Sequence, residues 1–300
     1  PYFRRWMRRF PSLRALAAAR RPDVLAAWEG LGYYRRAHHL HRAARMIVDH
    51  RRGRLPRTAG ELRSLPGIGR YTAAAIASIA FGADEVALDG NLRRVLARFF
   101  DLRRTGRKDG DEEVLRQRAR EILPPGRAGD FNQALMDLGS AVCTPHDPDC
   151  AACPLSPHCL AYRRGTQTQE RFPSRRAPLP RRLRVAAVVR RAGRVLLLRR
   201  PEGGLLAGLW EFPSAGGGRR APKGGRVSVR IGRRFGVYRQ AYSHFESLVR
   251  ACEARLARGA LEGIPRGERC WAPISQLDRY PMGRLDRRIA RDLQKEAQAA

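Results

Sequence analysis

Lysine is almost missing from this chain. Among 60 basic residues, against 28 acidic ones, only Lys108, Lys223 and Lys295 are lysines. An arginine bias of this kind, together with abundant Ala and Gly, is typical of a GC-rich genome and says little about function. The formal charge of +32 says more, because a field of that sign favours a polyanionic partner, nucleic acid above all. Charge alone also fits a merely basic, soluble surface.

Long apolar runs and a secretion signal are missing too. No stretch approaches the ~20 apolar residues of a membrane span, so we expect no membrane partner. The opening Pro1-Tyr2-Phe3-Arg4-Arg5 is basic but leads into no apolar signal region. Without such a signal, the six cysteines are poor candidates for a disulfide framework and better candidates for a metal or cluster site.

The 300 residues suggest two domains. We predict a mostly helical domain over 1–165 and an α+β domain over 184–300. The stretch 166–183 contains three prolines and no periodic apolar face, which predicts a linker. In the second domain, two apolar runs flank Arg191-Ala192-Gly193 and predict a β-hairpin. Apolar residues at 285, 289 and 293 predict a closing helix.

Several helices are predicted in the first domain. Trp28–His50 is rich in helix formers, and Tyr71–Phe81 is an Ala-rich run that Gly82 can end. Apolar residues from Leu92 to Phe99 recur at i, i+3, i+4 and i+7, as on one face of a helix. A further amphipathic run, Phe131–Val142, leads into a group of cysteines.

A glycine-containing turn separates two of these helices: Leu65-Pro66-Gly67-Ile68-Gly69. Glycine tolerates positive φ, so a tight hairpin can direct several backbone N–H groups to one side. The helix that follows adds unpaired N–H donors and the positive end of its dipole. The pattern predicts a cradle for one phosphate that needs no base contact. The alternative is an ordinary turn between helices.

A carboxylate and an amide open the next helix at Asp89-Gly90-Asn91, 20 residues after Gly69. A carboxylate at that point would lie close to a backbone held by the hairpin. The alternative is that Asp89 or Asn91 is only a helix N-cap, for which both residue types are well suited.

Four cysteines follow at the spacing Cys143-x6-Cys150-x2-Cys153-x5-Cys159. Thiolates this close in sequence can bind one centre, and four of them suit either tetrahedral zinc or an iron–sulfur cluster. The spacing does not choose between the two. Cys252 and Cys270 lie apart from this group and are more typical of small buried hydrophobic residues.

The chain resembles the endonuclease III superfamily of helix-hairpin-helix DNA glycosylases in three features taken together: the hairpin, the segment around Asp89 and the cysteine loop. Within this superfamily, the match is closest to the adenine DNA glycosylases of the MutY family. The stretches that carry this resemblance are Trp28–Ala37, Leu65–Gly69, Leu88–Arg98, Phe131–Gly139 and the cysteine loop. The resemblance implies a [4Fe–4S] cluster bound by Cys143, Cys150, Cys153 and Cys159.

The same resemblance implies the catalytic roles. Asp89 would stay ionised and stabilise an oxocarbenium-like sugar, or attack it transiently, while Asn91 would orient Asp89 or the incoming water. Tyr71 would support the sugar site. It stands where the bifunctional relatives have the lysine that forms a Schiff base, so the chain should leave the DNA strand intact.

DNA-binding residues are implied as well. Leu65, Gly67, Ile68 and Gly69 would hold the backbone, and Tyr33 resembles the wedge residue that stacks beside an oxidised guanine. For Tyr33 the alternative is a core tyrosine. The adenine itself would be flipped out of the duplex.

The second domain resembles the Nudix-like C-terminal domain of the same family through Leu196–Pro213. A Nudix hydrolase would need an Arg-Glu-x-x-Glu-Glu helix after that segment, and the sequence there, Ser-Ala-Gly-Gly-Gly-Arg-Arg, has none. We therefore expect a reading role. Tyr242-Ser243-His244 matches the family's Phe-Ser-His loop, which recognises 8-oxoguanine; for His244 a polar strand end is the alternative.

The resulting hypothesis is base-excision repair by hydrolysis of the adenine N-glycosidic bond at A opposite 8-oxoguanine, and at A:G mismatches, in double-stranded DNA. The protein would be a monomer in the bacterial cytoplasm, at the nucleoid. The alternatives are a non-catalytic lesion-binding protein, a zinc-stabilised DNA-binding protein, and a thymine-directed mismatch glycosylase of the same superfamily.

One catalytic group of the family has no counterpart here. The family's general-acid Glu lies upstream of the Pro-Tyr-Phe with which this chain opens, by roughly a dozen residues, and would form the second carboxyl of an acid–base pair. Because the first residue is also not Met, we expect an N-terminal truncation and severely impaired excision by the chain as given.

That expectation has a direct test. We predict an in-frame Glu-x3-Gln-Gln-Thr segment in the DNA just upstream, and adding it should restore cutting at A opposite 8-oxoguanine. Strand scission after alkali treatment measures the excision. An extended chain that still fails to cut would contradict the adenine glycosylase hypothesis.

Overall fold

The computed structural model describes residues 1–102, 108–169, 178–215 and 226–299. Residues 170–177, the middle of the predicted linker 166–183, lie outside these ranges. So does most of the segment after Pro213 in which the sequence has no Nudix helix motif. Within the described residues, no helix is long and apolar enough to cross a membrane.

The described helices lie mostly in the first half of the chain, and the strands in the second. The helices are α1 (Tyr2–Arg9), α2 (Leu13–Ala18), α3 (Arg21–Ala27), α4 (Arg35–Arg51), α5 (Ala59–Leu62), α6 (Arg70–Phe81), α7 (Gly90–Phe99), α8 (Lys108–Glu121), α9 (Ala128–Ala141), α10 (Leu160–Arg163) and α11 (Arg284–Ala299). The strands are β1 (Arg181–Arg191), β2 (Arg194–Arg199), β3 (Trp210–Glu211), β4 (Ser214–Ala215), β5 (Arg226–Val227), β6 (Val229–Ala241), β7 (Glu246–Leu256) and β8 (Arg269–Pro273). A mostly helical part followed by an α+β part was the predicted fold class, and it is confirmed.

Two compact units make up the chain. One contains Pro1–Gly53 together with Arg176–Ala300, and the other contains Arg54–Arg175. The domain boundaries at 165 and 184 stay a prediction. The contact pattern adds a feature that they do not contain, since the first four helices associate with the C-terminal part of the chain.

In the Arg54–Arg175 unit, α7 lies at the centre. Its apolar face, including Leu92 and Leu96, packs with Val86, Leu115 and Leu135 in one core. The predicted periodicity of α7 is therefore confirmed. Gly82 ends α6 as predicted, with φ +69°, and its N–H donates to the Ser78 carbonyl oxygen at 3.1 Å.

Glycine allows α9 to approach its neighbours closely. A Cβ added to Gly129 would lie 2.9 Å from the carbonyl oxygen of Ser78 in α6. One added to Gly139 would lie 2.7 Å from the Cβ of Asn91 in α7. Contacts this short are not found between real side chains, so larger residues would push these helices apart.

In the other unit, a mixed sheet is built around β1. It pairs with β2 and β4 antiparallel and with β7 in parallel, and β7 pairs antiparallel with β6. The predicted hairpin is confirmed, with Ala192 at φ +45° and Gly193 at +69° between β1 and β2. One face of the sheet packs against the predicted closing helix, α11, through Leu285, Ile289 and Leu293. A second apolar cluster includes Ala187, Val189 and Leu196.

The first four helices differ from prediction at one point. The helix predicted over Trp28–His50 begins only at Arg35, and the residues before it form a turn. Gly30 (φ +96°), Gly32 (φ +69°) and Tyr33 (φ +47°) adopt left-handed backbone conformations there. The prediction failed because it gave too little weight to the two glycines, which are unfavourable in a helix and permit this turn.

Candidate active site and cysteine cavity

The predicted phosphate hairpin joins α5 to α6. Leu65 is buried, Gly67 has φ +79°, and Gly69 is the extended N-cap of α6. A Cβ added to Gly69 would meet no atom within 4 Å, so the space beside this backbone is open. The first N–H groups of a helix have no partner inside it. The hairpin therefore presents backbone donors and the positive end of α6 to an open surface.

Asp89 is the N-cap of α7. Its Oδ1 accepts a hydrogen bond from the Leu92 backbone N–H at 2.8 Å, and the side chain is half-buried. The alternative that Asp89 caps the helix is thus correct as a local description. Capping and chemistry are compatible, because the helix N-terminus stabilises the negative charge that a catalytic carboxylate would need.

Tyr71, in the first turn of α6, lies within electrostatic range of Asp89. Burial, and secondarily the Asp89 charge, raise the pKa of the Tyr71 phenol. Its hydroxyl group is 4.0 Å from the Met136 Sδ, and the residue is 40% exposed. The Asp89 charge thus acts on the Tyr71 phenol, which is neutral at physiological pH.

Asn91, the third predicted catalytic residue, is bound by Arg94. Its Oδ1 accepts from Arg94 Nη2 at 2.9 Å. Arg94 also donates from Nε to the Cys143 carbonyl oxygen at 2.7 Å and from Nη2 to the Gly139 carbonyl oxygen at 2.5 Å. Arg94 therefore connects Asn91 to the end of α9 and the start of the cysteine loop. The sequence signal for this role of Arg94 is its position one helical turn after Asn91.

Asn132 is a second residue that sequence reasoning missed. Its fully buried side chain accepts from the Ala87 N–H at 3.0 Å and donates to the Glu85 carbonyl oxygen at 2.8 Å and to Ser78 Oγ at 2.9 Å. These bonds fix the extended segment that leads into Asp89. An Asn inside the apolar run of α9 was the available signal, since a buried amide needs partners.

Arg116 supports the same segment from α8. Its Nη1 donates to the Val86 carbonyl oxygen at 2.8 Å, and its Nη2 donates to Glu112 Oε1 at 3.0 Å. Burial lowers the pKa of this guanidinium, which the Glu112 carboxylate counteracts. An arginine remains charged even so, and its ion pair compensates the burial of that charge.

The four loop cysteines line one cavity. Its other walls include Val95, Arg98, Phe99 and Leu138. Burial raises the pKa of the Cys150 thiol, and the charges of the other three sulfur atoms raise it further. Across the described residues, no group of three or more His, Cys, Asp or Glu side chains is arranged to hold a single metal ion.

Arg98 closes the cavity on the α7 side. Its Nη1 donates to Cys143 Sγ at 3.2 Å and to the Thr144 carbonyl oxygen at 2.7 Å, and its Nη2 donates to the Pro145 carbonyl oxygen at 3.0 Å. The guanidinium thus places a positive charge and a hydrogen-bond donor beside a sulfur atom of the cavity wall. Of the two remaining cysteines, Cys252 is buried in β7, as predicted, whereas Cys270 in β8 is only partly buried.

The predicted wedge and reading residues lie in the other unit. Tyr33 is 67% exposed, so the alternative of a core tyrosine is wrong. The Arg36 guanidinium lies 5.6 Å from its ring centroid. An aromatic ring beside arginines is a common platform for stacking nucleic-acid bases.

Tyr242-Ser243-His244 forms the turn between β6 and β7. The Tyr242 N–H donates to the Phe245 carbonyl oxygen at 2.8 Å, and the two rings stack with centroids 4.8 Å apart. Ser243 and His244 are exposed. Burial raises the pKa of the Tyr242 phenol, followed in effect by the Asp286 charge. The turn presents a hydroxyl and an imidazole to solvent on a firmly packed aromatic base.

Comparison with known families gives two matches. Residues 1–125 match the family described as HhH-GPD superfamily base excision DNA repair protein, and residues 184–292 match the NUDIX domain family.

Curated relatives are adenine DNA glycosylases. The mouse protein is 38% identical over 257 residues, which is 71% of this chain and 50% of that protein. The human protein is also 38% identical, over 262 residues, 71% of this chain and 47% of that protein. A relative from Buchnera aphidicola is 36% identical over 163 residues, 54% of this chain and 47% of the relative. The chain thus spans about half the length of these relatives.

Solved structures similar to the chain include a thermostable thymine-DNA glycosylase, with 27% identity, a TM-score of 0.49, and coverage of 54% of this chain and 75% of that one. A non-covalent endonuclease III–DNA complex has 25% identity and a TM-score of 0.48, with coverage of 55% and 76%.

Removing the Asn132 side chain should destabilise the segment before Asp89. In Asn132→Ala, the Ala87 N–H and the Glu85 carbonyl oxygen lose a buried partner, which should cost about 1–3 kcal/mol of the free energy of unfolding. The midpoint of urea unfolding measures this loss. The matched control is Gln133→Ala, since the exposed Gln133 side chain donates to the Gly129 carbonyl oxygen of its own helix. Equal midpoints for the two variants would contradict the role of Asn132.

Proposed function

The chain belongs to the HhH-GPD superfamily of base excision DNA repair proteins and adds a Nudix-like part, and from this we propose that it hydrolyses the N-glycosidic bond of adenine in DNA. The observation that carries the proposal is the fixed carboxylate of Asp89, which caps α7 and accepts a hydrogen bond from the Leu92 N–H. The identity to adenine DNA glycosylases supports the choice of adenine.

The hairpin would bind one phosphate of the DNA backbone. Gly67 makes the turn, Leu65 anchors it in the core, and Ile68 and Gly69 border the open side. Contacts to backbone N–H groups hold any sequence equally, which suits an enzyme that must search for a rare lesion. The phosphate contact would bring the sugar of the flipped nucleotide toward Asp89.

Asp89 would act as the ionised carboxylate. Departure of adenine leaves positive charge on the sugar, and a fixed negative charge close to it lowers the energy of that transition state. The Leu92 N–H fixes one carboxylate oxygen, so the group needs little rearrangement during the reaction. Asn91, held by Arg94, would border the same site and orient the attacking water or the carboxylate.

Tyr71 determines what happens after the base leaves. A lyase reaction requires an amine that forms an imine with the opened sugar. A phenol cannot form one, and lysine is absent from the part of the chain between Arg54 and Arg107. We therefore propose a monofunctional glycosylase whose product is an abasic site in an intact strand.

The substrate would be adenine opposite 8-oxoguanine or guanine in double-stranded DNA. Tyr33 offers an exposed ring that can stack in the duplex, and the Tyr242-Ser243-His244 turn offers the polar groups that can distinguish an altered guanine. We propose that the protein acts as a monomer on the bacterial chromosome.

We also propose that Cys143, Cys150, Cys153 and Cys159 bind a [4Fe–4S] cluster. Four thiols around one largely apolar cavity, with Arg98 donating to a sulfur atom, are a suitable ligand set for such a cluster. When bound, the cluster would supply cross-links that hold the loop after α9. The protein's own residues perform the glycosylase chemistry.

The first test concerns Asp89. Asp89→Asn in the chain extended upstream should lower excision at A opposite 8-oxoguanine by at least roughly 100-fold, because it removes the charge that stabilises the transition state. Alkaline strand scission measures excision, and fluorescence anisotropy measures binding to the same duplex, which should be retained. Asp137→Asn is the matched control, since Asp137 is exposed on α9 and loses the same charge.

Two results would reject the assignment. One is equal excision by the Asp89→Asn and Asp137→Asn proteins. The other is a wild-type preference for thymine opposite guanine, which would select the thymine-directed alternative.

A second test concerns the cysteine cavity. Protein purified without oxygen should contain about four irons per chain and absorb visible light. Cys153→Ala should abolish both signals, whereas Cys252→Ala, in β7, should leave them intact. One zinc per chain in place of iron would replace the cluster proposal with the zinc alternative.

A further inference from the structure

An ion pair within the Pro1–Gly53 and Arg176–Ala300 unit joins residues 258 positions apart. Arg287 of α11 donates from Nε to Glu29 Oε1 at 2.5 Å and from Nη2 to Glu29 Oε2 at 3.0 Å. The arginine side chain is 8% exposed and the glutamate side chain 26% exposed. A two-bond pair with this burial fixes the orientation of both groups.

Arg287 is itself held in place. Its Nη1 donates to the Leu277 carbonyl oxygen at 2.8 Å, and its Nη2 donates to the Tyr280 carbonyl oxygen at 2.6 Å. The guanidinium is therefore a fixed support in the Nudix-like part, to which the Glu29 carboxylate is attached. A second carboxylate oxygen, Asp278 Oδ1, lies 3.5 Å from Arg287 Nη1, but its side chain is 73% exposed. Loss of Glu29 would therefore leave the buried guanidinium with a weaker, solvated ionic partner.

A second contact lies beside the pair. The buried Tyr34 hydroxyl donates to the Met282 carbonyl oxygen at 3.2 Å. The fully buried Leu209, which comes just before β3, packs in one cluster with Leu25, Tyr34 and Ala37 of the first four helices. The residues on both sides of the turn are thus fixed to the Nudix-like part, at Glu29 and at Tyr34.

Between these two attachments the backbone is strained. Tyr33 has φ +47°, a conformation that costs a non-glycine residue about 1–3 kcal/mol unless its surroundings enforce it. The Trp28 Nε1–H donates to the Gly32 carbonyl oxygen at 2.9 Å, and Arg5 Nη2 donates to the Glu29 carbonyl oxygen at 3.0 Å. The strained residue, Tyr33, also has an exposed side chain.

We propose that Arg287 is a positioning residue that acts through Glu29: with the Tyr34–Met282 bond, it locks the Glu29–Tyr34 turn so that the Nudix-like part holds the Tyr33 ring in its DNA-contacting position. The DNA ligand in this inference rests on the proposed function. The lock itself is a property of the free protein. The lock would hold the Tyr33 ring in place before DNA binds, so that DNA binding need not supply the energy of the strained turn.

The lock can be measured without DNA. Hydrogen exchange, followed by mass spectrometry, should be roughly 5- to 30-fold faster across residues 29–36 in Glu29→Gln and in Arg287→Met, as for a loss of one to two kcal/mol of local stability. Exchange in α6 should stay unchanged. The matched control is Arg291→Met, because Arg291 lies exposed one turn further along α11 and loses the same charge. Unchanged exchange across 29–36 in both lock variants overturns the proposal.

A binding cycle then tests whether the lock acts through Tyr33. Affinity for a duplex with A opposite 8-oxoguanine should fall in Glu29→Gln, Arg287→Met and Tyr33→Ala. Adding Arg287→Met to Tyr33→Ala should lower it no further, because the ring to be positioned is already gone. Glu29→Gln raises the net charge and Arg287→Met lowers it, so a purely electrostatic effect on DNA affinity would have opposite signs in the two proteins.

The outcomes separate the two proposals. Additive losses in the cycle overturn the positioning role, even if the wild type prefers the lesion duplex. A wild type without any preference for that duplex over an undamaged one rejects the proposed function, while the exchange rates still decide whether the lock exists.

Discussion

The placement of Asp89 depends on hydrogen bonds to a short extended segment that has no sheet partner of its own. Buried backbone polar groups must be paired, and three backbone groups of residues 85–87 have side-chain partners. Asn132 bonds to Glu85 and Ala87, and Arg116 bonds to Val86. Because the segment is fixed, α7 begins at Gly90 and Asp89 is its N-cap residue. The cysteine loop is bound to that helix by Arg94 and Arg98.

Arginine residues have two different roles in this protein. The excess of positive charge predicts a polyanionic partner, and the family assignment agrees with it. Several arginines, however, are buried and bind carbonyl oxygens, as Arg98, Arg116 and Arg287 do. A planar guanidinium with five donors can bridge several loop carbonyls at once, which an ammonium group does less well. Net charge therefore overstates the charge that is free to meet DNA.

The Nudix-like part has a structural role beyond its predicted reading turn. Its Leu209 completes the apolar core of the first four helices, and its α11 provides the arginine that binds Glu29. One family match covers residues 1–125 and the other covers residues 184–292. The packing instead groups Pro1–Gly53 with Arg176–Ala300. Apolar helix faces pack against whichever surface buries them best, so compact units need not follow the boundaries of sequence families.

Local sequence determined most of the elements. The periodicity of α7, the glycine that ends α6, the β1–β2 hairpin and the closing helix all follow from neighbours in sequence, and so does the cysteine spacing. Tertiary structure decided what no local pattern records: that Asn132 holds the Asp89 segment, that Arg98 donates to a cysteine sulfur, and that the turn before α4 is fixed by a residue 258 positions away. The reason is physical, since helix and turn signals arise from interactions over a few residues, while a buried polar group finds its partner only when distant segments of the chain meet.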